Sequence, residues 1–326
     1  MLNCCNEKPI IQLTAGESLC KKHFIEYFEN KVFRTITKFG LIGKQENLGI
    51  ALSGGKDSLT LLKILKKLSD KNKKIRLAAI AINEGIENYR DKTLEAAKSF
   101  CEKNNVPLHI YSYEEEFGMP LDNMLKVLDV KPCTICGIFR RYLLNKKSRE
   151  LGFTKIATGH NLDDEVQSIL MNQFKSNIRA SARLGPKVGI KDAKTTSGTN
   201  SVGNRNFVQR IKPLYLCTEK EVATYAFLNN LIDNYLECPN VSKSYRAQVR
   251  DTLNEFEAKF PGTKYAIVNS FLQVLPDLKE RFKGEEANCC KECGESASKD
   301  KCNACRFAER LEKAKLAKAP ITSQLS

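Results

Sequence analysis

A run of six residues, Ser53-Gly54-Gly55-Lys56-Asp57-Ser58, stands between a strand-like apolar run and a helix-like one. Two adjacent glycines let the backbone turn with its N–H groups pointing one way, and the helix that follows adds its positive N-terminal end. Lys56 adds a further positive charge. The spacing is not that of a Walker A loop, which has four residues between its glycine and its Gly-Lys pair. The run therefore predicts a phosphate-binding loop, with a plain strand-to-helix turn as the alternative.

Thirteen cysteines supply a second kind of chemistry, and most of them stand in close pairs. Residues 1–11 have no apolar core of the length of a secretory signal, so we expect a reducing, cytoplasmic compartment. Paired thiols in such a compartment bind metal or do chemistry more often than they form disulfides. No apolar run approaches the length that crosses a membrane, so no membrane partner is expected.

Two Cys-x-x-Cys pairs lie close together near the C-terminus, with eight residues between them. Four thiolates at this spacing can surround one tetrahedral ion, and a short polar tail has little other means of folding. We expect a structural zinc ribbon here. Its ligands are Cys290, Cys293, Cys302 and Cys305, and the neighbouring Cys289 is a bystander.

A less regular set of metal ligands stands near the N-terminus. Cys20 and His23 form a Cys-x-x-His pair, and Cys4 and Cys5 are its candidate partners. A regular knuckle would place cysteines at positions 2 and 5, but position 2 is Leu2. We expect a second zinc site, with Cys4 as an unusual fourth ligand or with an incomplete set; the alternative is that His23 lies on a polar helix face.

A third group of thiols differs in kind from both zinc sets. Cys133 and Cys136 open a helix-like run beside two arginines, which would lower their pKa. Cys217 lies between a strand-like and a helix-like run, where the loops at one sheet edge meet. Three thiolates then converge beside the phosphate loop and leave one corner of an iron-sulfur cubane open to a sulfide. The alternatives are a redox dithiol at Cys133 and Cys136 and an ordinary core cysteine at Cys217.

Alternating apolar patterns define the framework for these residues. Strands are predicted near 48–52, 75–82, 107–112, 154–158 and 208–215, and helices near 57–70, 89–104, 137–151 and 162–175. This alternation is typical of a doubly wound parallel α/β sheet. Two further helices, divided at Pro261-Gly262, are predicted between Tyr245 and Phe282.

A second loop, Gly159 to Asp164, follows the fourth predicted strand and opens at the same sheet edge. Its two successive carboxylates, Asp163 and Asp164, are candidate Mg²⁺ ligands or helix caps. We favour a functional role for Asp164.

The formal net charge of +15 exceeds what solubility needs. Basic residues concentrate in a polar segment, 184–206, which is interpreted as a mobile loop, and in the helical segment and the tail 306–318. Arg246 and Arg250 are predicted to share one helix face. RNA is the expected partner, with a single unstacked base entering the pocket.

We divide the 326 residues into four parts. They are an N-terminal zinc module with a linking helix (1–38), the catalytic sheet domain (39–238), a helical RNA-binding segment (239–284) and a C-terminal zinc ribbon with a basic tail (285–326).

The hexapeptide resembles the signature of the PP-loop ATP pyrophosphatases, and the chain as a whole resembles the tRNA 2-thiouridine synthetases, or cytosolic tRNA 2-thiolation proteins, within them. The resemblance covers nearly the whole chain. It depends on an ordered set of motifs: Leu19-Cys20-x-x-His23, the hexapeptide, Asn83-Glu84-Gly85-Ile86, Cys133-x-x-Cys136-Gly137-x-x-Arg140-Arg141, Gly159-His160-Asn161-Leu162-Asp163-Asp164-Glu165, Cys217 and the terminal cysteine pairs. The related 2-thiocytidine synthetases share the loop and the cysteine triad but not the flanking zinc modules.

The resemblance implies a Rossmann-like fold, Mg²⁺-dependent use of ATP, and a [4Fe-4S] cluster on Cys133, Cys136 and Cys217. It implies that Asp164, Lys56 and Arg140 act in catalysis, with adenine near Ile82 to Glu84. The implied ATP-binding residues are Ala51, Ser53, Gly54, Gly55, Lys56, Asp57, Ser58, Ile82, Gly159 and Asp164. It further implies a homodimer, and as sulfur donor either free sulfide or a thiocarboxylated ubiquitin-like carrier.

Our hypothesis is that ATP adenylates O2 of a tRNA uridine and that sulfide carried by the cluster then displaces AMP at C2. We favour wobble uridine 34 over uridine 54 as the target. The stretch Glu237-Cys238-Pro239 does not indicate which of the two positions is modified. A cluster-free mechanism would instead use a persulfide on Cys133 or Cys136. Two competing hypotheses change the function itself: a different PP-loop tRNA-modifying enzyme, such as a lysidine-type ligase, and a non-enzymatic, zinc-stapled RNA-binding protein.

Overall fold

The computed structural model describes residues 7–189, 207–231, 237–240, 245–283, 288–297 and 299–318. The strands, numbered in chain order, are β1 (Ile11–Gln12), β2 (Ser18–Leu19), β3 (Glu46–Ala51), β4 (Ile75–Asn83), β5 (Leu108–Ser112), β6 (Lys155–Ala157), β7 (Lys187–Val188), β8 (Gln209–Ile211), β9 (Asn288–Cys289) and β10 (Ser296–Ala297). The helices are α1 (Lys21–Lys38), α2 (Lys56–Lys71), α3 (Arg90–Lys103), α4 (Tyr113–Phe117), α5 (Leu121–Val127), α6 (Pro132–Glu150), α7 (Leu162–Phe174), α8 (Ile178–Ser181), α9 (Glu219–Leu228), α10 (Tyr245–Lys259), α11 (Thr263–Arg281) and α12 (Asn303–Lys318). Most of the predicted basic loop, 184–206, lies outside the described residues.

Six strands form the central sheet, in the order β5-β4-β3-β6-β8-β7. Every neighbouring pair is parallel except β7 with β8 at one edge. The predicted doubly wound α/β fold is confirmed. Because the strands are parallel, the loops after β3, β4 and β6 all open at the carboxyl edge of the sheet, on either side of its centre.

Helices cover both faces of this sheet, which is why its central strands are almost continuously apolar. Along β4, Ala79 packs into the core that α1, α2 and α9 share, whereas Ile80 and Ile82 pack into the core under α5, α6 and α12. Two further side chains from α6, Phe139 and Leu143, are completely buried in that second core. The alternation of side-chain directions along a strand therefore separates two apolar cores.

The last predicted strand, 208–215, is shorter in the structure and ends at Ile211. Proline has no N–H to donate to a strand neighbour, so Pro213 cannot continue a central strand. The chain turns there instead, with Tyr215 N–H donating to the carbonyl of Lys212 at 3.1 Å and Cys217 N–H donating to that of Leu214 at 2.9 Å.

The helix predicted over 137–151 begins five residues earlier, at Pro132. Proline is favoured in the first turn of a helix because the N–H that it lacks has no partner there. Cys133 and Cys136 consequently lie within the first turns of α6.

The two predicted C-terminal helices are confirmed as α10 and α11. The chain reverses between them at Gly262, whose φ of +96° suits glycine. Leu253 of α10 and Phe271 of α11 pack with Val166 of α7 in a third apolar cluster. This contact fixes the helical pair against the sheet domain. None of the described helices is long and apolar enough to span a membrane.

Buried ion pairs tie helices that are distant in sequence. Lys31 of α1 lies 2.7 Å from Glu221 of α9 and donates to the hydroxyl of Tyr265 in α11. Desolvation would lower the pKa of Lys31, but the charge of Glu221 raises it above the ordinary value. Lys264 of α11 pairs in the same way with Asp163 of α7.

We predict that Glu221→Gln lowers the free energy of unfolding by about 3 kcal/mol, because it leaves the charge of Lys31 buried without a counter-ion. Urea denaturation followed by circular dichroism measures the change. Asp70→Asn is the control: it breaks the exposed pair with Lys66 and should leave the denaturation midpoint unchanged. Equal midpoints for the two variants would contradict the prediction.

Candidate functional site

The loop between β3 and α2 has room for backbone only at Gly54. Gly54 has φ +83°, and a Cβ at this position would lie 1.8 Å from the carbonyl oxygen of Thr93 in α3. Gly55 is the N-cap of α2, so the free N–H groups of the first helical turn face the loop. These features are those of an anion-binding helix terminus, as the sequence predicted.

The two serines of the loop hold its shape. Ser58 Oγ accepts a hydrogen bond from Ser53 N–H at 3.2 Å and donates to the carbonyl of Gly55 at 3.0 Å. The Ser53 and Ser58 hydroxyl oxygens lie 3.1 Å apart. Ser58 thus has a structural role beside the predicted phosphate contact.

Lys56 lies at the mouth of the loop between two carboxylates. Its Nζ is 3.0 Å from Asp57 Oδ2 and 3.2 Å from Glu219 Oε1, the latter at the start of α9. The predicted cation is therefore present, and Glu219 is a partner that the sequence did not indicate.

The second predicted loop contacts the first directly. Asn161 Nδ2 donates to Asp57 Oδ1 at 3.1 Å. A Cβ at Gly159 would lie 3.0 Å from the backbone carbon of Asp57, so the two loops meet closely. The structure thus brings Gly159 to the phosphate loop, as predicted.

Asp164 has the helix-capping role that was the alternative for it, and its functional role stays a prediction. It forms a capping box with Asn161, in which Asn161 N–H donates to Asp164 Oδ2 and Asp164 N–H to Asn161 Oδ1, each at 3.2 Å. Burial raises the pKa of Asp164, and the positive charge of Arg246 opposes the rise. Arg246 Nη1 lies 3.7 Å from Asp164 Oδ1.

Asp163, by contrast, is held inside the structure. Its carboxylate pairs with Lys264 and accepts a hydrogen bond from Glu219 N–H at 2.7 Å. The two successive carboxylates therefore do not form a joint magnesium site, because the buried pair already engages Asp163.

Cys133 and Cys136 lie at the start of α6, Cys133 exposed and Cys136 half-buried. Tyr113 OH donates to the Cys136 carbonyl at 2.7 Å. Burial raises the pKa of Cys136, the charge of Arg140 opposes this, and the carboxylate of Glu84 adds to it. The prediction of a lowered thiol pKa is wrong for Cys136, because desolvation outweighs the nearby arginine.

Cys217 does not join these two thiols. It is completely buried in the core shared by α1, α2 and α9, whereas Cys136 packs against the core on the other face of the sheet. Burial raises the pKa of Cys217. The positive charge of Lys31 opposes this rise, and the negative charge of Glu221 adds to it. The structure corrects the prediction that Cys217 converges with Cys133 and Cys136: its sequence position lies beside a sheet-edge loop, but its side chain points into the core.

Cys238 lies on the same side of the sheet as Cys133 and Cys136. It is half-buried against the same core as Cys136. Burial raises its pKa, with an added contribution from the charge of Cys133. Cys133 Sγ lies 3.6 Å from the carbonyl of Asn240, two residues beyond Cys238. The only sequence signal for it was a cysteine in a short Glu-Cys-Pro stretch.

Three thiols at this place, one from each of two helix turns and one from a separate segment, fit an iron-sulfur cluster with one iron left without a protein ligand. Among the described residues, their sulfurs are not as close together as those of a single-ion site. A cubane spreads its ligands over different irons, so a wider spacing suits it.

The C-terminal cysteines form the compact set that was predicted. The sulfurs of Cys290, Cys293, Cys302 and Cys305 all lie within 4.8 Å of one another. Gly294 N–H donates to the Cys290 carbonyl at 2.9 Å, which closes the first knuckle. Four thiols in this arrangement suit one tetrahedral ion.

The N-terminal candidate is described in part. Cys20 Sγ lies 3.3 Å from His23 Nδ1 at the start of α1, beside the β1–β2 hairpin. The predicted Cys-x-x-His pair is thus brought together. Cys4 and Cys5 lie outside the described residues.

Several basic residues lie near His160, the second residue of the Gly159–Asp164 loop. Partial desolvation, together with the charges of Lys212, Arg246, Arg140 and Arg210, lowers the pKa of this exposed histidine. The imidazole is therefore neutral at physiological pH. Three of these charges have a carboxylate partner nearby: Glu165 for Lys212, Asp164 for Arg246 and Glu84 for Arg140.

The chain is similar to known proteins over most of its length. A family model described as PP-loop domain matches residues 26–256. The chain is 34% identical over 310 residues to tRNA 2-thiolation protein NcsA of Haloferax volcanii, covering 91% of this chain and 94% of the relative. It is 36% identical over 289 residues to tRNA-5-methyluridine(54) 2-sulfurtransferase of Pyrococcus horikoshii, covering 89% and 87%.

A solved structure is similar over almost the whole fold. It is the U34-tRNA thiolase NcsA from Methanococcus maripaludis with its [4Fe-4S] cluster. The TM-score is 0.76 at 32% sequence identity, and the match covers 94% of this chain and 95% of that one.

We predict that Gly54→Ala weakens binding of α,β-methylene-ATP at least about tenfold, because the added Cβ collides with the Thr93 carbonyl in a backbone conformation that itself costs about 1–2 kcal/mol. Calorimetry measures the affinity. Gly16→Ala is the control: its φ is +89° with nothing within 4 Å of the added Cβ, and it should bind as the wild type does. Unchanged affinity in Gly54→Ala would contradict the prediction.

We predict that Cys293→Ser lowers the zinc content by about one ion per chain, because three thiolates hold zinc less tightly than four. Mass spectrometry of purified, dialysed protein measures the metal. The neighbouring Cys289, which is outside the four-sulfur set, provides the control, and Cys289→Ser should keep its zinc. Loss of zinc in both variants, or in neither, would argue against the site.

Proposed function

The chain belongs to the PP-loop family of tRNA 2-thiolation proteins, and from this premise we propose that it uses ATP to activate a tRNA uridine and inserts sulfur at C2. The observation that carries the proposal is the shared position of loop and thiols. The phosphate loop follows β3, and Glu84, which follows the neighbouring β4, lies 3.5 Å from Arg140, one helical turn after Cys136. Nucleotide and sulfur chemistry thus meet at one sheet edge.

In this proposal the loop of residues 53–58 binds the phosphates of ATP with Mg²⁺. Backbone N–H groups at the start of α2 and the ammonium of Lys56 offset the negative charge that passes to pyrophosphate. Lys56 would exchange its contact with Glu219 for one with phosphate. Asp164 lies across the cleft beside Arg246, where its carboxylate can orient the uridine or a metal-bound phosphate.

We propose Cys133, Cys136 and Cys238 as the ligands of a [4Fe-4S] cluster, in place of the set that includes Cys217. When bound, such a cluster supplies an iron without a protein ligand that can carry a sulfide. Arg140, one helical turn after Cys136, adds a positive charge beside the thiols. The half-buried position of Cys136 limits the access of water.

The tRNA would lie beside the half-exposed Arg246, which is next to Asp164 at the cleft, so that one base enters the cleft. We propose uridine 34 as the target. The U34-tRNA thiolase resembles this chain over 94% of its length, and the uridine-54 enzyme, at 36% identity, is the alternative to be separated by experiment. We retain free sulfide or a thiocarboxylated carrier as the donor, a homodimer, zinc at both terminal sites and a cytoplasmic location as parts of the proposal.

Thiolation is tested with tRNA transcripts that carry adenosine in place of uridine 34 or of uridine 54. Full-length protein, ATP and sulfide are added under anaerobic conditions, and digested tRNA is analysed for 2-thiouridine while AMP is measured separately. Product only in the transcript that lacks uridine 54 and retains uridine 34 supports the proposal. Product only in the transcript that lacks uridine 34 and retains uridine 54 moves the target to uridine 54. AMP without 2-thiouridine in either transcript indicates another PP-loop modification.

We predict about four irons per chain after anaerobic purification. Cys133→Ala, Cys136→Ala and Cys238→Ala should each lose the iron and keep the zinc. Cys217→Ala is the matched control, and it should keep its iron because its side chain lies in the other core. Iron lost in Cys217→Ala but kept in Cys238→Ala would reverse the assignment, and iron-free protein that still thiolates tRNA would favour the persulfide mechanism.

A further inference from the structure

A buried carboxylate lies between the phosphate loop and the thiols. Glu84 immediately follows β4, and its side chain is only 6% exposed. It contacts two arginines from different helices: its Oε2 lies 2.8 Å from Arg90 Nε, and its Oε1 lies 3.5 Å from Arg140 Nη1. The carboxylate is thus shared between α3 and α6.

Arg90 carries this contact to the phosphate loop. Its Nη1 donates to the carbonyl of Ser53 at 2.6 Å, and its Nε donates to that of Ile82 at 2.8 Å. Arg90 itself is buried, and the same helix presents the Thr93 carbonyl that excludes any side chain at Gly54. A displacement of the loop at Ser53 would therefore change the position of the Arg90 guanidinium.

Arg140 carries the contact to the thiols. It lies four residues after Cys136 in α6, so the two side chains share one face of the helix, and the Arg140 side chain is half-exposed. The Arg140 guanidinium is therefore open to solvent, whereas Arg90 is enclosed by packing. The Cys136 carbonyl accepts a hydrogen bond from Tyr113, whereas the link from α6 to Glu84 is made by the Arg140 side chain.

We propose that Glu84 is a positioning residue that couples the phosphate loop to the thiol site, acting through Arg90 on Ser53 and through Arg140 on the surroundings of Cys136. The inference rests on the proposed function, since it assigns a link between the two halves of that site. A carboxylate shared by two guanidiniums satisfies both only in one geometry. Nucleotide binding at the phosphate loop, on the Arg90 side, therefore changes the contact of Glu84 with Arg140.

The proposal is tested with Glu84→Gln, which keeps the shape and one acceptor but removes the charge. The full chain, without added iron, is treated with iodoacetamide in the presence and absence of α,β-methylene-ATP, and alkylation of Cys136 is followed by peptide mass spectrometry. We expect the nucleotide analogue to change the wild-type rate by about fivefold and to leave the rate in Glu84→Gln unchanged. A wild-type rate that does not respond, or a variant that responds equally, overturns the proposal.

Glu116→Gln provides the matched control. Glu116 in α4 pairs with Lys146 and Lys147 of α6 and has no contact with either arginine among the described residues. This variant loses one carboxylate charge against the same helix and should respond to nucleotide as the wild type does. If it also loses the response, the effect comes from general loosening of α6, and the assignment to Glu84 fails.

Arg140→Gln keeps the test decisive if Glu84→Gln does not fold, because the Arg140 side chain is half-exposed. Arg140→Gln alone should abolish the change in alkylation rate that nucleotide causes. The double variant Glu84→Gln/Arg140→Gln should have the same alkylation rates as each single variant, since the two residues act as one unit. Additive effects of the two substitutions on the alkylation rate overturn the coupling. The alkylation experiment requires no tRNA, so it is independent of thiolation. If nucleotide changes the alkylation rate of Cys136 but the protein never thiolates tRNA, only the proposed function is disproved. If the protein thiolates tRNA but nucleotide does not change the alkylation rate, only the role of Glu84 is disproved.

Discussion

The contact between Gly54 and the Thr93 carbonyl is the constraint on which the site depends. It leaves no room for a side chain at Gly54, so bare backbone lines this part of the phosphate loop. The same contact fixes the start of α3 beneath the loop. Arg90 can then reach the Ser53 carbonyl and Glu84 together. One close approach thus sets both the shape of the anion site and the position of the buried charges behind it.

Buried ion pairs determine which acidic residues have a structural role and which remain available at the cleft. Asp163 and Asp164 are neighbours in sequence, but only Asp163 is engaged by a buried lysine from α11. Asp164 is left at the cleft, where a helix cap and Arg246 orient its carboxylate. The pair shows how docking of the C-terminal helices determines which carboxylate is available. A buried ion pair contributes orientation even where its net stabilisation is small.

Much of this protein could be predicted from short patterns. The glycines and lysine of the loop, the apolar strands of a parallel sheet and the terminal cysteine pairs are each contiguous in sequence, so backbone geometry and ligand spacing decide them locally. Errors arose at element ends, where Pro213 ends a strand early and Pro132 starts a helix early. They also arose for the Cys136 thiol, since its burial is a property of the packed helices and not of nearby residues.

The sequence by itself determined the fold class, the phosphate loop and the four-sulfur C-terminal site, because each is encoded within a few residues or by a regular alternation. Only the tertiary structure decided which distant groups share the cleft. Cys217 and Cys238 are both single cysteines far from Cys136 in sequence, and no spacing rule separates them. Packing does so, since one side chain enters the core beneath α1 and α9 and the other lies against the core that contains α6. The two ion pairs of Glu84 could not be predicted from the sequence either, because its two arginines come from different helices that meet only in the folded chain.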